Sequence, residues 1–124
     1  MPDGGAPNFT VVGAGLGGAL MACFLGKAGY EVEVYEKRED PRRPEPSGSR
    51  DAGRSINLAL SCRGISALKQ VGLDRSVLAD SIPMRGRMIH SPEGRLAFQP
   101  YGVSDADAIY SISRAGLNLA LLQA

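Results

Sequence analysis

The chain has 124 residues, a net charge of +1 and an apolar fraction of 44%. That length fits one small domain or part of a larger one, and so balanced a charge gives no basis for a nucleic-acid or acidic-membrane partner. Met1 to Pro7 is too short and too polar for a signal peptide, and no apolar run reaches membrane-spanning length, so the segment reads as soluble.

The first ordered stretch opens with Phe9-Thr10-Val11-Val12, a β-branched run suited to a buried strand. Gly13-Ala14-Gly15-Leu16-Gly17-Gly18 follows directly and fits G-x-G-x-x-G. Leu16, Ala19, Leu20, Cys23 and Phe24 then recur at helical spacing, and Gly29 stands where that helix would stop. Glu31 to Glu36 alternates Val32 and Val34 with polar residues and ends in an acid. Strand, glycine turn, helix, strand and acid form the first βαβ unit of a dinucleotide-binding, Rossmann-like α/β fold. Gly13 would allow the tight turn, Gly15 the approach of a pyrophosphate, and Gly18 close packing of helix on sheet. The helix N-terminus offers free N–H groups to the phosphates, and Glu36 is placed to accept from ribose hydroxyls. A carboxylate there disfavours a 2′-phosphate, which leaves FAD or NAD.

Pro41 to Gly53 holds three prolines and two glycines among charges and reads as a mobile loop within one domain. The charged run Arg38-Glu39-Asp40 before it reads as a solvated surface. Ile56, Leu58 and Leu60 alternate as in a strand, and Ser61 would cap a helix that Gly72 ends. Asp74 to Asp80 is a second short helix, closed by Ile82-Pro83. Met84 to His90 reads as one strand, Ser91-Pro92-Glu93-Gly94 as a turn, and Arg95 to Gln99 as the hairpin partner. Parity puts Arg85, Arg87 and Ile89 on one face, where the two arginines could hold a carboxylate or phosphate, or simply be solvated. Tyr110 to Ser113 is a further strand, and Ser113 would cap a last helix from Arg114.

Cys23 belongs to the first helix as a small core residue, and Cys62 reads as a plain buried thiol. Neither makes a metal spacing, and His90, the only histidine, reads as structural.

Arg54 to Ser61 and Ile82 to Ser91, with Pro100-Tyr101-Gly102, Ser113-Arg114 and Leu117-Asn118, closely resemble the kynurenine-hydroxylating branch of the single-component FAD-dependent aromatic hydroxylases. The resemblance runs from about Asn8 to Ala124. It implies that FAD is the bound cofactor, with NADPH and O2 as co-substrates and L-kynurenine as the small-molecule substrate. By position, Gly13, Gly15, Gly17 and Gly18 would line the pyrophosphate turn, and Tyr35, Glu36, Lys37 and Arg38 would surround the adenosine ribose. Ala59 and Arg114 would contact FAD, with Arg54 close by. Arg87 and Tyr101 would bind the amino-acid carboxylate of the substrate, and no residue here would act as a catalytic acid, base or nucleophile. On this reading residues 1–124 are the N-terminal part of a truncated FAD-binding domain that includes the start of a substrate-contacting hairpin. A cytoplasmic location is expected, or the mitochondrial outer membrane for a eukaryotic protein. Alternatives are a hydroxylase of another aromatic acid and a non-catalytic dinucleotide-binding module.

Overall fold

The computed structural model describes residues 8–43 and 56–124. Arg54 and most of the proline-rich loop therefore lie outside the described residues.

Strand β1 (Asn8–Val12), helix α1 (Leu16–Lys27) and strand β2 (Glu31–Tyr35) form the βαβ unit. The two strands are parallel, with Val11 opposite Val34 and Val12 opposite Tyr35. Helix α1 ends in a Schellman cap: Tyr30 N–H donates to Leu25 O at 3.1 Å and Gly29 N–H to Gly26 O at 3.0 Å. Gly29 takes φ +90° to close it, a conformation open to glycine at little strain.

The chain continues through β3 (Asn57–Leu60), α2 (Cys62–Gln70), α3 (Asp74–Ala79), β4 (Ile82–Met84), β5 (Gly86–His90), β6 (Leu96–Pro100), β7 (Ile109–Ser113) and α4 (Arg114–Gln123). Strand β7 is central in an antiparallel sheet of order β3-β7-β4, and β5 and β6 form a separate antiparallel hairpin. Ala19 of α1, Leu68 of α2, Val77 of α3, Ile112 of β7 and Leu117 and Leu121 of α4 make the core, with Leu58 and Leu60 packed against it. The Cys23 thiol half-buries there, 3.4 Å from Leu121 O, and burial raises its pKa.

Three expectations need correction. Strand β1 is not buried: only Val11 is half-covered, because β1 pairs with β2 alone among the described strands. As expected, α3 has ended before Ile82-Pro83, which lies extended in β4, an edge strand where a missing N–H is tolerated. Met84 to His90 is not one strand. It breaks at Arg85, β4 pairing with β7 and β5 with β6, so parity cannot be counted across Arg85. Cys62, at the first position of α2, is exposed. Of the expected helix caps, Ser113 accepts from Gly116 N–H at 3.3 Å, whereas Ser61 holds the N-cap position without a side-chain bond.

Candidate dinucleotide site

The turn between β1 and α1 is built from its glycines. Gly13 has φ +99°, in the region that strains residues with a Cβ, and its N–H donates to Tyr35 O at 2.7 Å, extending the pairing of β1 and β2. Gly15 is the N-cap of α1, with extended backbone (φ −70°, ψ −174°), and its carbonyl accepts from Ala19 N–H at 2.9 Å. Among the described residues, a Cβ on Gly15 would meet no atom within 4 Å. A Cβ on Gly18 would run into Gly13 O and lie 3.0 Å from Gly13 C. Two glycines of one motif thus have opposite physical reasons: Gly18 lets helix and turn touch, while Gly15 borders a space that no described residue fills.

Glu36, just past the end of β2, ties the turn to the second strand. Its Oε2 accepts from Ala14 N–H at 2.8 Å and from Arg38 Nη2 at 3.1 Å. Its Oε1 accepts from Arg38 N–H at 2.9 Å and from Arg38 Nε at 3.0 Å. The Arg38 side chain first, then the N–H groups of Arg38 and Ala14, hold the Glu36 carboxyl well below the usual carboxylate range. The first turn of α1 carries no acid, so its positive end is left for an anion.

Gly15, Glu36, Arg38 and Arg114 line one cleft of about 1360 Å³. Gly13, Tyr35 and Lys37 line an adjoining recess of about 460 Å³, which shares Gly15, Glu36 and Arg38 with the cleft. Arg114 is placed by its N–H, which donates to Ile56 O at 2.9 Å and joins the start of α4 to the start of β3. Gly17 is exposed on the first turn of α1, and neither it nor Gly18 lines the two depressions. Ala59 pairs with Ser111 inside the antiparallel sheet, outside both depressions. Arg87 and Tyr101 belong to the hairpin and its exit and do not line the cleft.

Sequence reasoning missed part of the cleft wall. Asp40 accepts from Arg42 Nε and Nη2, at 2.9 and 2.8 Å, and Arg42 Nη1 reaches Leu122 O of α4 at 3.1 Å. The Arg42 side chain holds the Asp40 carboxyl down at about 2. Asn118 also lines the cleft, and its buried Oδ1 has no hydrogen-bond partner among the described residues. The alternation of charges at 38–43 gave no sign of the reach across to α4, and Asn118 stood out only as part of the resemblance.

Comparison with known proteins sharpens this reading. The family described as an NAD(P)-binding Rossmann-like domain matches residues 11–48. Kynurenine 3-monooxygenase of Myxococcus xanthus is 49% identical over the whole chain, which covers 26% of that relative. The chain resembles the N-terminal part of kynurenine 3-monooxygenase. The Salinispora tropica and Xanthomonas axonopodis pv. citri kynurenine 3-monooxygenases are 50% and 48% identical over 87% and 93% of the chain, covering 23% and 24% of those proteins. The chain thus spans about a quarter of the length of these curated relatives. In structure it is similar to 2-methyl-3-hydroxypyridine-5-carboxylic acid oxygenase, at TM-score 0.73 and 19% identity over 95% of this chain and 28% of that one. It is also similar to p-nitrophenol 4-monooxygenase of Pseudomonas putida, at TM-score 0.70 and 22% identity over 95% and 29%. The fold is the Rossmann-like α/β fold of these monooxygenases.

Proposed function

We propose that this chain is the FAD-binding, N-terminal part of a flavin-dependent kynurenine 3-monooxygenase. The complete protein would convert L-kynurenine, NADPH, a proton and O2 into 3-hydroxykynurenine, NADP+ and water. The observation that carries the reading is the match to kynurenine 3-monooxygenase along the entire chain, at 49% identity. The space beside Gly15, next to the N-terminus of a helix whose first turn holds no acid, suits a pyrophosphate.

Bound FAD would supply hydride acceptance from NADPH and activation of O2. The residues of this chain bind and orient. Gly13, Gly15 and the first N–H groups of α1 receive the pyrophosphate, with Gly17 exposed beside them and Gly18 holding the helix close. Glu36 meets the adenosine ribose, with Tyr35, Lys37 and Arg38 around it. Arg114 reaches the cofactor from α4, while the contacts assigned to Ala59 and Arg54 rest on the resemblance alone, Ala59 lying outside the cleft and Arg54 outside the described residues. Arg87 and Tyr101 take the carboxylate of the amino-acid substrate. A guanidinium meets a carboxylate with two parallel hydrogen bonds that an ammonium cannot reproduce. The bacterial origin of the relatives supports a cytoplasmic location. Among the described residues no helix is long and apolar enough to cross a membrane.

The test is Arg87→Lys in the complete protein, followed by NADPH oxidation coupled to 3-hydroxykynurenine formation. Hydrogen bonds to charged groups contribute roughly 1.5–3 kcal/mol each, so KM for L-kynurenine should rise by about tenfold or more with flavin content unchanged. Loss of flavin with unchanged KM would assign Arg87 to the wrong ligand. Absence of any kynurenine-dependent product from the wild-type protein would overturn the function itself.

A further inference from the structure

Arg87 does not stand free on its strand. Gln99 lies directly opposite it in the hairpin, and Arg87 Nε donates to Gln99 Oε1 at 2.7 Å. The pairing continues one step further, since Tyr101 N–H donates to Arg85 O at 2.9 Å. Residue 101 therefore faces residue 85, and Tyr101 becomes the diagonal neighbour of Arg87, on the same face and within reach of a long side chain. Pro100 falls between these two hydrogen-bonded pairs, opposite Gly86, where its missing N–H leaves the ladder intact.

Arg85 is engaged elsewhere. Its Nη1 donates to the carbonyl of Asp105. That loop is closed by Asp107, whose Oδ2 accepts from Val103 and Ser104 N–H at 3.0 Å each. The two arginines, equivalent in the sequence, are thus committed to different partners. Arg87 spends Nε on Gln99, and neither terminal NH2 group has a partner among the described residues, which leaves both for an end-on meeting with a carboxylate.

We propose that Gln99 is a positioning residue for substrate recognition: it holds Arg87 by Nε, so that the two Nη groups and the Tyr101 hydroxyl converge on the substrate carboxylate. This rests on the reading of Arg87 as the carboxylate-binding residue. An exposed arginine samples many rotamers, and one hydrogen bond at Nε removes part of that freedom before the substrate arrives.

The experiment is Gln99→Met in the complete protein, a change that keeps length and apolar bulk and deletes the acceptor. KM for L-kynurenine should rise about three- to tenfold, the factor of one hydrogen bond, while kcat and flavin content stay within about twofold. With the decarboxylated amine analogue of kynurenine, wild type and Gln99→Met should give the same KM. In an Arg87→Lys background, Gln99→Met should add nothing, because lysine has no Nε–H for Gln99 to hold. A merely structural role for Gln99 would raise KM in both backgrounds and for both substrates, and would overturn the proposal. So would an unchanged KM for Gln99→Met beside a raised KM for Arg87→Lys, which leaves the function standing. If Arg87→Lys itself leaves KM unchanged, the underlying assignment of Arg87 falls, and the role of Gln99 with it.

Discussion

Gly15 and Gly18, three residues apart, should respond to alanine in opposite ways. At Gly15 the backbone is extended, and an added Cβ meets no atom of the described residues within 4 Å. Removing glycine's freedom in the unfolded chain stabilises by about 0.4–1 kcal/mol, and the poorer N-cap propensity of alanine offsets a similar amount. The flavin-free protein should therefore keep its stability within about 1 kcal/mol. FAD affinity should fall if, as proposed, the pyrophosphate lies against Gly15, because the Cβ would then enter its space. Overpacking of this kind costs about 1–3 kcal/mol, which is about five- to 150-fold in Kd. Gly15→Val should leave no bound flavin. At Gly18, inside α1, alanine would gain about 1 kcal/mol from helix propensity alone. Here its Cβ collides with backbone, Gly13 O, and also sits 3.4 Å from Val11 Cγ1. Backbone cannot swing aside as a side chain can, so Gly18→Ala should be net destabilising by about 1–3 kcal/mol. Urea unfolding of the flavin-stripped complete protein, followed by circular dichroism, measures the first quantity. Visible absorbance of the reconstituted protein measures the second. Wild-type FAD affinity in Gly15→Ala, or a raised urea midpoint in Gly18→Ala, would refute the division of roles.

Three further outcomes are expected. Ser113→Ala removes the acceptor for Gly116 N–H at the start of α4 and should lower stability by about 0.5–2 kcal/mol, read as a lower urea midpoint with unchanged slope. Asp40 has its folded pKa lowered to about 2, first by the Arg42 side chain. Its stabilising contribution is therefore present above its ordinary value of 3.8 and lost as pH falls from there towards about 2. Asp40→Asn should flatten stability against pH in that window, as measured by acid titration of the urea midpoint. Gly86→Ala would drive a Cβ into Gln99 O and the Phe98 ring, so KM for L-kynurenine should rise while flavin content holds.

The βαβ unit was legible because its residues are dictated by sterics. A glycine is required at φ +99°, another where helix touches turn, and a third at the Schellman cap, so the order of elements could be read directly. Glu36 was legible for its place at the end of β2, but not for the Ala14 N–H it accepts, since nothing local encodes a bond across 22 residues. The break at Arg85 was hidden for a related reason. Apolar alternation tells that a segment is extended, not which strand it joins, and β4 and β5 join different sheets. The different commitments of Arg85 and Arg87 come from their partners, the carbonyl of Asp105 and the side chain of Gln99, neither visible in the pattern. The exposure of β1 shows the same limit: a β-branched run marks a strand and leaves open what covers it.

The crowded carboxylate at Glu36 has a consequence for how a nucleotide would enter. A carboxylate offers about four lone-pair directions, and four donors already occupy this one, three of them from Arg38. A ribose hydroxyl arriving here would complete an exchange rather than an addition. It must displace a donor, and the Arg38 side chain, 61% exposed against 19% for Glu36, is the one free to leave. Salt screens an exposed ion pair but acts little on a neutral hydroxyl. Moderate ionic strength should therefore favour the adenosine end of the ligand at this corner, against the usual trend for a phosphate-bearing molecule. The arginine would act as a placeholder that keeps the carboxylate oriented until the sugar takes over.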